Sequence, residues 1–374
     1  MIIAVNTRLL LKDYEAGYRN FIYECFRRIT RQQTQHTFIF IFDRPYDPSL
    51  IFSHNIIPVI TGPEVRYPMR WWVWYNVKVP LVLKKYKADV FINVDGFCSS
   101  FTKVPQCLVM MHDPAFLDYP HFLKKNNLFF IKKTAADCLK KAKIICTWSE
   151  FSKRDISETY KIDERKIEVV YTGVSELFTS IEFEEREKIK DQYSDGNEYF
   201  LFTGNIYTEK NLIDLLKAFS IFKKSQKSSM QLLITNRFSY KNEFAENLRL
   251  FKFREDVKLL GYLTQIELAK ITAASYVIIY LSLARVLYTP LIEAMKCNVP
   301  VITSNTYAIP EICGEAALYA NYDDHKDIAD KIMLIFKDET LRTELILKGK
   351  TQLNKYSWDK TSLLLWQSIL KSAG

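Results

Sequence analysis

The sequence predicts an α/β fold made of two doubly wound, Rossmann-like domains. Short apolar runs alternate with helical patterns along almost the whole chain. Near-continuous apolar strands that are separated by helices are typical of a parallel sheet with both faces covered. Because two sets of such strands follow one another, and because 374 residues exceed the size of one ordinary domain, two domains are expected.

The predicted strands can be assigned in order along the chain. The first predicted domain, 1–178, has apolar runs at Ile2–Val5, Phe38–Phe42, Ile56–Ile60, Val90–Ile92, Leu108–Met111, Ile144–Cys146 and Ile167–Tyr171. The second predicted domain, 179–357, has them at Phe200–Phe202, Leu232–Ile234, Val257–Leu260, Val277–Tyr280 and Val299–Thr303. Between them the chain is charged and polar, and the middle of that segment predicts a solvated helix.

Composition narrows the class of protein. Hydrophobic residues make up 48% of the chain, yet no apolar run approaches the roughly 20 residues of a membrane-spanning helix. The first residues lack the basic leader of a secretion signal, so a cytoplasmic protein is expected. The seven cysteines are scattered, which favours reduced and buried thiols, and the five isolated histidines predict no metal site.

The most informative stretch runs from Tyr280 to Leu318. An apolar run is followed by a short loop and a helix, in which Thr289 is expected to be the cap and Pro290 the first helical residue. Glu293 falls in the first turn of this helix, and a buried strand follows. A helix N-terminus at the end of a parallel strand favours an anion, and a carboxylate there can accept hydrogen bonds from hydroxyl groups.

This stretch resembles the donor-site core of the family-4 retaining glycosyltransferases of the GT-B fold. Their pattern is Glu-Gly-Phe-Gly-x-Pro-x-x-Glu-Ala, followed by Pro-Val-x-x-Ser and Pro-Glu-x-x-Gly-x-Ala-Ala. The matching residues are Pro290, Glu293, Ala294, Pro300, Val301, Ser304, Pro310, Glu311, Gly314, Ala316 and Ala317. Arg285 stands in place of the first acid. The Gly-Phe-Gly positions are occupied by Val286, Leu287 and Tyr288.

The resemblance implies a GT-B architecture and a nucleotide-sugar donor. Two Rossmann-like domains are expected to face each other across a cleft, with a last helix from about Trp358 to Leu370 carrying 358–374 back onto the first domain. By resemblance, Glu293 takes the ribose hydroxyls of a UDP- or GDP-linked sugar. Lys210 takes the diphosphate, and neither a metal nor another cofactor is needed.

Lys210 lies in a stretch that matches the family pattern Gly-x-x-x-x-x-Lys-Asn, just before a helix predicted to begin near Asn211. A lysine at a strand-to-helix turn can reach a diphosphate as a point charge, although an ordinary surface lysine near a helix cap is the alternative. The other residues predicted to line the donor site are Gly17, Arg19, Gly204, Asn205, Arg285, Tyr288, Thr289, Pro290 and Leu291.

The candidate catalytic residues are His112 and Asp113, which follow a predicted buried strand. Ligands of open α/β sheets bind beyond the carboxyl ends of strands, and the resembled family has a His-Asp at this place. The alternative is a histidine that is satisfied by local backbone groups. Farther along the chain, Ser149 matches a family position and has the simpler expected role of capping the helix that begins there.

Two basic stretches, 66–87 and 121–143, suggest a surface that meets an anionic membrane. The first also holds Trp71, Trp72 and Trp74, and the alternative is that the tryptophans are core residues and the lysines are solvated. A net charge of +9 also fits nucleic acid, but no motif supports such a partner and none is expected.

The expected function is transfer of a hexose, with retention of its anomeric configuration, from a nucleotide sugar to a glycan or lipid-linked precursor of a lipopolysaccharide or capsule. A catalytically silent homologue that binds a partner enzyme or a glycan is the alternative. Arg285, Tyr288, Arg19 and the scarcity of glycine favour the silent homologue, because a guanidinium cannot accept a hydrogen bond and bulky residues restrict access to the backbone. The retained Glu293 and the matches at Lys210 and His112 favour the enzyme.

Overall fold

A computed structural model describes residues 1–11, 16–65, 67–110, 134–203, 209–235, 242–261, 263–281 and 288–374 of the protein. The chain divides into two compact units. The first contains Met1–Gly173 and Ser357–Gly374, and the second contains Val174–Ala284 and Tyr288–Tyr356. The units therefore divide at Gly173, whereas the sequence placed the end of the first domain at 178.

The described strands of the first unit form one parallel sheet. They are β1 (Ile2–Asn6), β2 (Thr37–Phe42), β3 (Ile56–Ile60), β4 (Val90–Asn93), β5 (Gln106–Val109), β6 (Ile144–Thr147) and β7 (Ile167–Val169). Their spatial order is β3-β2-β1-β4-β5-β6-β7, so the order reverses between β1 and β4. Each strand that the sequence predicts in this half is present, although β5 begins and β7 ends two residues earlier than predicted.

Helices cover this sheet. They are α1 (Ala16–Gln32), α2 (Pro68–Val73), a π-helical turn (Trp74–Lys78), α3 (Val79–Tyr86), the helical residues 134–141 (α4) and α5 (Glu150–Tyr160). Short 3-10 turns span Arg8–Leu10, Pro48–Leu50 and Glu164–Lys166. Ser149 caps α5 as predicted, since its hydroxyl accepts the N–H of Ser152 at 3.0 Å.

The C-terminal helix, Trp358–Ala373, belongs to the first unit and packs against α1. Phe21 of α1 makes edge-on ring contacts with Trp148 and Trp358 at centroid distances of 4.9 and 6.2 Å. The chain enters this contact through Gly173, where an added Cβ would lie 2.3 Å from the Trp358 ring and 2.6 Å from its backbone nitrogen. Only a residue without a side chain fits that passage.

The second unit has its own parallel sheet among the described residues. Its strands are β8 (Tyr199–Phe202), β9 (Gln231–Thr235), β10 (Val257–Gly261), β11 (Val277–Tyr280), β12 (Val301–Ser304) and β13 (Ala317–Ala320), in the order β10-β9-β8-β11-β12-β13. The sequence did not predict β13, which pairs with β12 at the edge of the sheet. With four residues and two half-buried positions, it is too short to show a pattern of its own.

The helices of the second unit follow the same alternation. They are α6 (Phe183–Ser194), α7 (Glu209–Gln226), α8 (Asn242–Leu250), α9 (Gln265–Ala274), α10 (Thr289–Lys296), α11 (Ile309–Cys313), α12 (His325–Lys337) and α13 (Glu339–Gln352), with 3-10 turns at Arg254–Asp256 and Leu353–Lys355. The predicted helix in the charged segment is therefore confirmed as α6. No helix that the structure describes has both the length and the apolar character of a membrane span.

The cysteines are all buried, whereas the tryptophans of the first basic stretch differ in their exposure. All seven cysteines are free and buried, as predicted. Trp74 is fully buried and its indole N–H donates to the carbonyl of Thr61 at 2.7 Å. Trp71 is half-buried, whereas Trp72 is 44% exposed. The core interpretation is thus confirmed for Trp74 and wrong for Trp72; Arg66 and 121–133 lie outside the described residues.

Candidate active site

In the second unit, the strand order reverses between β8 and β11, which are direct neighbours. The helices that follow these two strands, α7 and α10, therefore begin at the same edge of the sheet. Ligands of doubly wound sheets bind in the crevice where the order reverses, beyond the carboxyl ends of the strands. This switch point brings the position of Lys210 in α7 and Glu293 in α10 to one edge, although they are far apart in sequence.

The start of α10 differs from the prediction. Tyr288 occupies the cap position and forms no side-chain capping bond, Thr289 is the first helical residue, and Pro290 is the second. The predictions that Thr289 caps the helix and that Pro290 begins it are therefore wrong by one position. Glu293 is the fifth helical residue, so the prediction that it lies in the first turn is wrong as well. Proline is tolerated at the second position as well, because the first four N–H groups of a helix have no acceptor within it.

Tyr288 is buried instead of crowding a ligand surface. Its side chain is 4% exposed and meets the ring of Tyr280 edge-on, with centroids 6.4 Å apart. Leu291 is also buried, and Thr289 and Pro290 are half-buried. The extra volume that tyrosine brings to a glycine position of the family pattern is therefore accommodated inside the protein.

The Glu293 carboxyl group is desolvated in a residue that is only half-buried. The residue is half-buried, and burial raises the pKa of its carboxyl to about 8. The carboxyl group is therefore desolvated, although the residue as a whole is not fully buried. Hydroxyl groups that donate to this carboxylate would favour its ionised form, which burial alone disfavours.

Only some of the other predicted donor and catalytic residues lie in the described part of the chain. Gly204, Asn205 and Arg285 lie outside the described residues, as do His112 and Asp113. Lys210 is the second residue of α7, so the prediction that it precedes the helix is wrong by two positions. Gly17 and Arg19 lie in the first turn of α1, and both are half-buried.

The first unit has a corresponding switch point between β1 and β4, and it carries a charged network that the sequence did not predict. Arg8 follows β1, Asp95 follows β4, and their side chains form an ion pair in which they are only 7% and 8% exposed. The hydroxyl of Tyr75 also donates to Asp95. Asn6, the last residue of β1, donates from its amide to Tyr75 Oη at 2.8 Å and to Asp95 at 3.2 Å.

Tyr75 reaches this network from the π-helical turn Trp74–Lys78. Such turns are rare and occur frequently at functional sites. Burial raises the pKa of the Tyr75 hydroxyl well above its usual range, and the neighbouring charge of Asp95 adds to this effect, so the hydroxyl remains a donor. The Arg8 guanidinium also lies over the rings of Trp74 and Tyr75, at 5.5 and 5.8 Å from their centroids.

The sequence carried a signal for this network. Polar residues follow two of the apolar runs. Asn6 and Arg8 come after the first strand, and Asn93 and Asp95 come after the fourth. In a doubly wound sheet these two strand ends are neighbours, so the polar side chains could have been expected to meet. Among the described residues, no group of three or more His, Cys, Asp or Glu side chains could hold a metal ion.

Comparison with known proteins agrees with this geometry. The family model described as "Glycosyl transferases group 1" matches residues 183–352, and the one described as "Glycosyltransferase Family 4" matches residues 17–176. O-antigen chain mannosyltransferase B of Escherichia coli is 24% identical over 74% of this chain and 73% of its own length. O-antigen chain mannosyltransferase RfbU of Salmonella typhimurium is 27% identical over 73% and 72%.

A solved structure extends the likeness of fold to nearly the whole chain. Anabaena Alr3699/HepE in complex with UDP and glucose aligns with a TM-score of 0.74 at 13% identity, covering 99% of both chains. The two family models fall on the two units, and the site of the second unit lies within the group 1 match. The chain belongs to the group 1 and family 4 glycosyltransferases, and its fold is GT-B.

Proposed function

We propose that this protein is a retaining hexosyltransferase, with mannose as the first candidate sugar, that extends a glycan or lipid-linked precursor of a cell-surface polysaccharide. The observation that carries the proposal is the second-unit switch point, where α7 and α10 begin at one sheet edge and the half-buried Glu293 has a desolvated carboxyl group. The names of the O-antigen mannosyltransferases among the relatives support the sugar and the polymer.

In this proposal each residue has a separate task. Glu293 accepts hydrogen bonds from the two ribose hydroxyls of the donor. Lys210 and the first N–H groups of α10 receive the diphosphate, so that charge developing on the leaving group is stabilised without a metal. His112 and Asp113 approach the transferred sugar, and Arg285 contacts a phosphate or an acidic group, because a guanidinium cannot accept a hydrogen bond from a sugar hydroxyl.

The first-unit switch point is proposed to meet the acceptor. In its network the fully buried Asn6 and Tyr75 hold Arg8 and Asp95 in place, and the side chains of Arg8 and Asp95 keep 7% and 8% exposure. A buried ion pair contributes little net stability, so a role in orienting a polar ligand is a better account of its presence than fold stability.

The acceptor end of the reaction is proposed to take place on an anionic membrane. Met69, Tyr67 and Trp72 are 79%, 63% and 44% exposed, and the exposed Arg70 lies among them. Aromatic and basic residues on one surface suit the headgroup region of a bilayer. Flotation with vesicles that contain phosphatidylglycerol at low salt, and release at high salt, is the expected result; no flotation at any ionic strength would contradict it.

Titration calorimetry with UDP and GDP tests the donor site. Hydrolysis of the mannose- and glucose-linked forms of these nucleotides is then measured. Binding of one nucleotide and turnover of its sugar, with an α-linked donor giving an α-linked product by NMR, are expected. The silent homologue remains the second candidate because Arg285 replaces the first acid of the family pattern. A folded protein that binds neither nucleotide and hydrolyses no donor would favour it.

A further inference from the structure

A basic recess of about 410 Å³ opens in the first unit, away from the switch point. Four lysines line it, namely Lys103, Lys141, Lys143 and Lys166, and no acidic residue does. The recess lies at the amino-terminal ends of β5, β6 and β7, because Lys143 and Lys166 immediately precede β6 and β7, and Gln106 begins β5. The polar network of Arg8 and Asp95 follows the carboxyl ends of the same sheet, so the two features lie at opposite edges.

Strand pairing brings Lys143 and Lys166 near each other. In the parallel register Cys107 pairs with Ile144, so Lys143 lies beside Gln106, and Ile145 pairs with Ile167, so Lys166 lies beside Ile144, one residue from Lys143. The N–H of Lys143 donates to the carbonyl of Gln106 at 3.0 Å, which continues the ladder into the recess. The basic groups are therefore clustered by the sheet itself, which makes the recess a rigid feature.

The loop that carries Lys103 is also fixed. The Gln106 side chain accepts the N–H of Ser99 and donates to the carbonyl of Ser99, both at 2.9 Å. Asn76 accepts the next N–H, that of Ser100, at 2.9 Å, and Lys141 Nζ donates to the Ser100 carbonyl at 3.1 Å. One side of the recess is thus held before any ligand arrives, which reduces the entropy that binding would cost.

The charges of the recess are only weakly offset by the described part of the chain. Lys103, Lys143 and Lys166 form no direct ion pair with another described residue. The nearby carboxylate of Asp163 is bound to Arg165 at 2.6 Å and also attracts Lys166. Like charges held together repel one another, and a multiply charged anion relieves that repulsion at several points at once.

We infer that this recess is a binding site for phosphate groups, either a phosphate monoester or a diphosphate, separate from the nucleotide site. Lysine ammonium groups are compact point charges with several donors, which suits the spread oxygens of phosphate. Phosphate of this kind is carried by anionic lipid headgroups and by soluble diphosphates. Phe101 is next in the chain to the lining residue Thr102, is 66% exposed and lies 6.1 Å from the exposed Trp72 ring, and this aromatic pair favours the lipid.

The test compares two variants with the same change in charge. The recess variant carries Lys103→Gln, Lys143→Gln and Lys166→Gln. The control variant carries Lys224→Gln, Lys326→Gln and Lys350→Gln, three exposed lysines of the second unit. Binding is measured by calorimetry with inorganic pyrophosphate, and by co-sedimentation with phosphatidylcholine vesicles that do or do not contain phosphatidylglycerol. Nucleotide binding is measured in parallel.

The recess variant is expected to bind one or both phosphate probes at least roughly tenfold more weakly than the control variant, while the affinity for UDP or GDP stays the same. If the recess variant binds only the vesicles more weakly, the recess binds a lipid headgroup. If it binds pyrophosphate more weakly, the recess binds a soluble diphosphate. Equal weakening in the two variants would show only general attraction by positive charge and would overturn the proposal. Absence of binding to either probe in the wild-type protein would overturn it as well.

Discussion

The switch points of the two units share the same sheet geometry but carry different chemical groups. In the second unit, the chemistry comes from the starts of two helices and one carboxyl group, Glu293, whose pKa is raised to about 8 by burial alone. In the first unit, it comes from an ion pair, Arg8 with Asp95, in which each charge is compensated by its partner. Among the described residues no charged partner shifts the pKa of Glu293, so a ligand can supply the hydrogen bonds of its carboxyl group, whereas the charges of Arg8 and Asp95 are paired before any ligand binds.

The largest effect is expected from breaking the compensated pair. Asp95→Ala leaves the Arg8 charge buried without its carboxylate, and removal of one partner from a buried pair costs about 3–5 kcal/mol of unfolding free energy. Urea denaturation measures the change. Glu255→Ala is the matched control, because it breaks an ion pair with Arg254 whose side chains are 59% and 87% exposed, and it should change little. Equal stabilities for Asp95→Ala and the wild type would contradict the compensation.

The next effect concerns the carboxyl group of Glu293. In the unfolded chain Glu293 ionises near pH 4.3, whereas in the folded protein it keeps its proton until about pH 8. The folded state therefore binds more protons in this window, and the free energy of unfolding should fall as the pH rises from about 4.3 to 8. Because the residue is half-buried, the expected fall is about 2–4 kcal/mol.

Glu293→Gln isolates that contribution, since glutamine has the same shape and does not titrate. Denaturation series between pH 4 and pH 9 should show a flatter profile for the variant than for the wild type. Glu246→Gln, an exposed residue of α8, serves as the control. Parallel profiles for all three proteins would show that the Glu293 carboxyl is solvated in the free protein, and the contrast between the two switch points would then disappear.

A third change addresses ligand binding at the second-unit switch point. If Lys210 receives the diphosphate, Lys210→Ala should weaken nucleotide diphosphate binding by roughly 1.5–3 kcal/mol, because one charge-assisted hydrogen bond is lost. Calorimetry measures the affinity, and thermal melting without nucleotide should be unchanged. Lys217→Ala in the same helix is a suitable control, because Lys217 pairs with Asp214 and is 54% exposed. Equal affinities for Lys210→Ala and Lys217→Ala would remove Lys210 from the donor site.

The contrast also explains what could be predicted from the sequence. The residues of the second site are close together in the chain or belong to recognisable patterns, so Glu293 and the start of α10 were located to within one residue. The first network joins Arg8, Tyr75 and Asp95, which come from three separate segments. Their meeting depends on the order of strands in the sheet. The polar residues that follow β1 and β4 indicate it once a doubly wound order is assumed, but no spacing along the chain places Tyr75 with them.

The local sequence did not predict β13 or the different burial of Trp72 and Trp74, and the physical reasons differ. β13 was missed because a four-residue edge strand shows too little periodicity, and the pairing with β12 is what fixes its conformation. Trp72 and Trp74 have the same composition around them, yet one is at the surface and the other is fully buried. Residues two apart in the chain lie on opposite faces of a helix, so the direction of each side chain, and not the composition around it, puts Trp74 in the core and leaves Trp72 at the surface.

The smallest expected effect separates structure from function at the first-unit switch point. Tyr75→Phe removes one hydroxyl while Asp95 keeps Arg8 and the Asn6 amide as partners, so stability should fall by only about 1 kcal/mol. If the network orients the acceptor, the loss of the hydroxyl that holds Asp95 in place should raise KM for the acceptor and leave KM for the donor nucleotide sugar unchanged. Tyr23→Phe in α1 is a control for removal of a tyrosine hydroxyl, since Tyr23 is half-buried and stacks edge-on with Phe52 through its ring. Initial-rate kinetics with each substrate varied in turn measures the split. A Tyr75→Phe enzyme with both KM values unchanged would restrict the network to holding β1, β4 and the π-helical turn together, and the acceptor would have to be oriented by other residues.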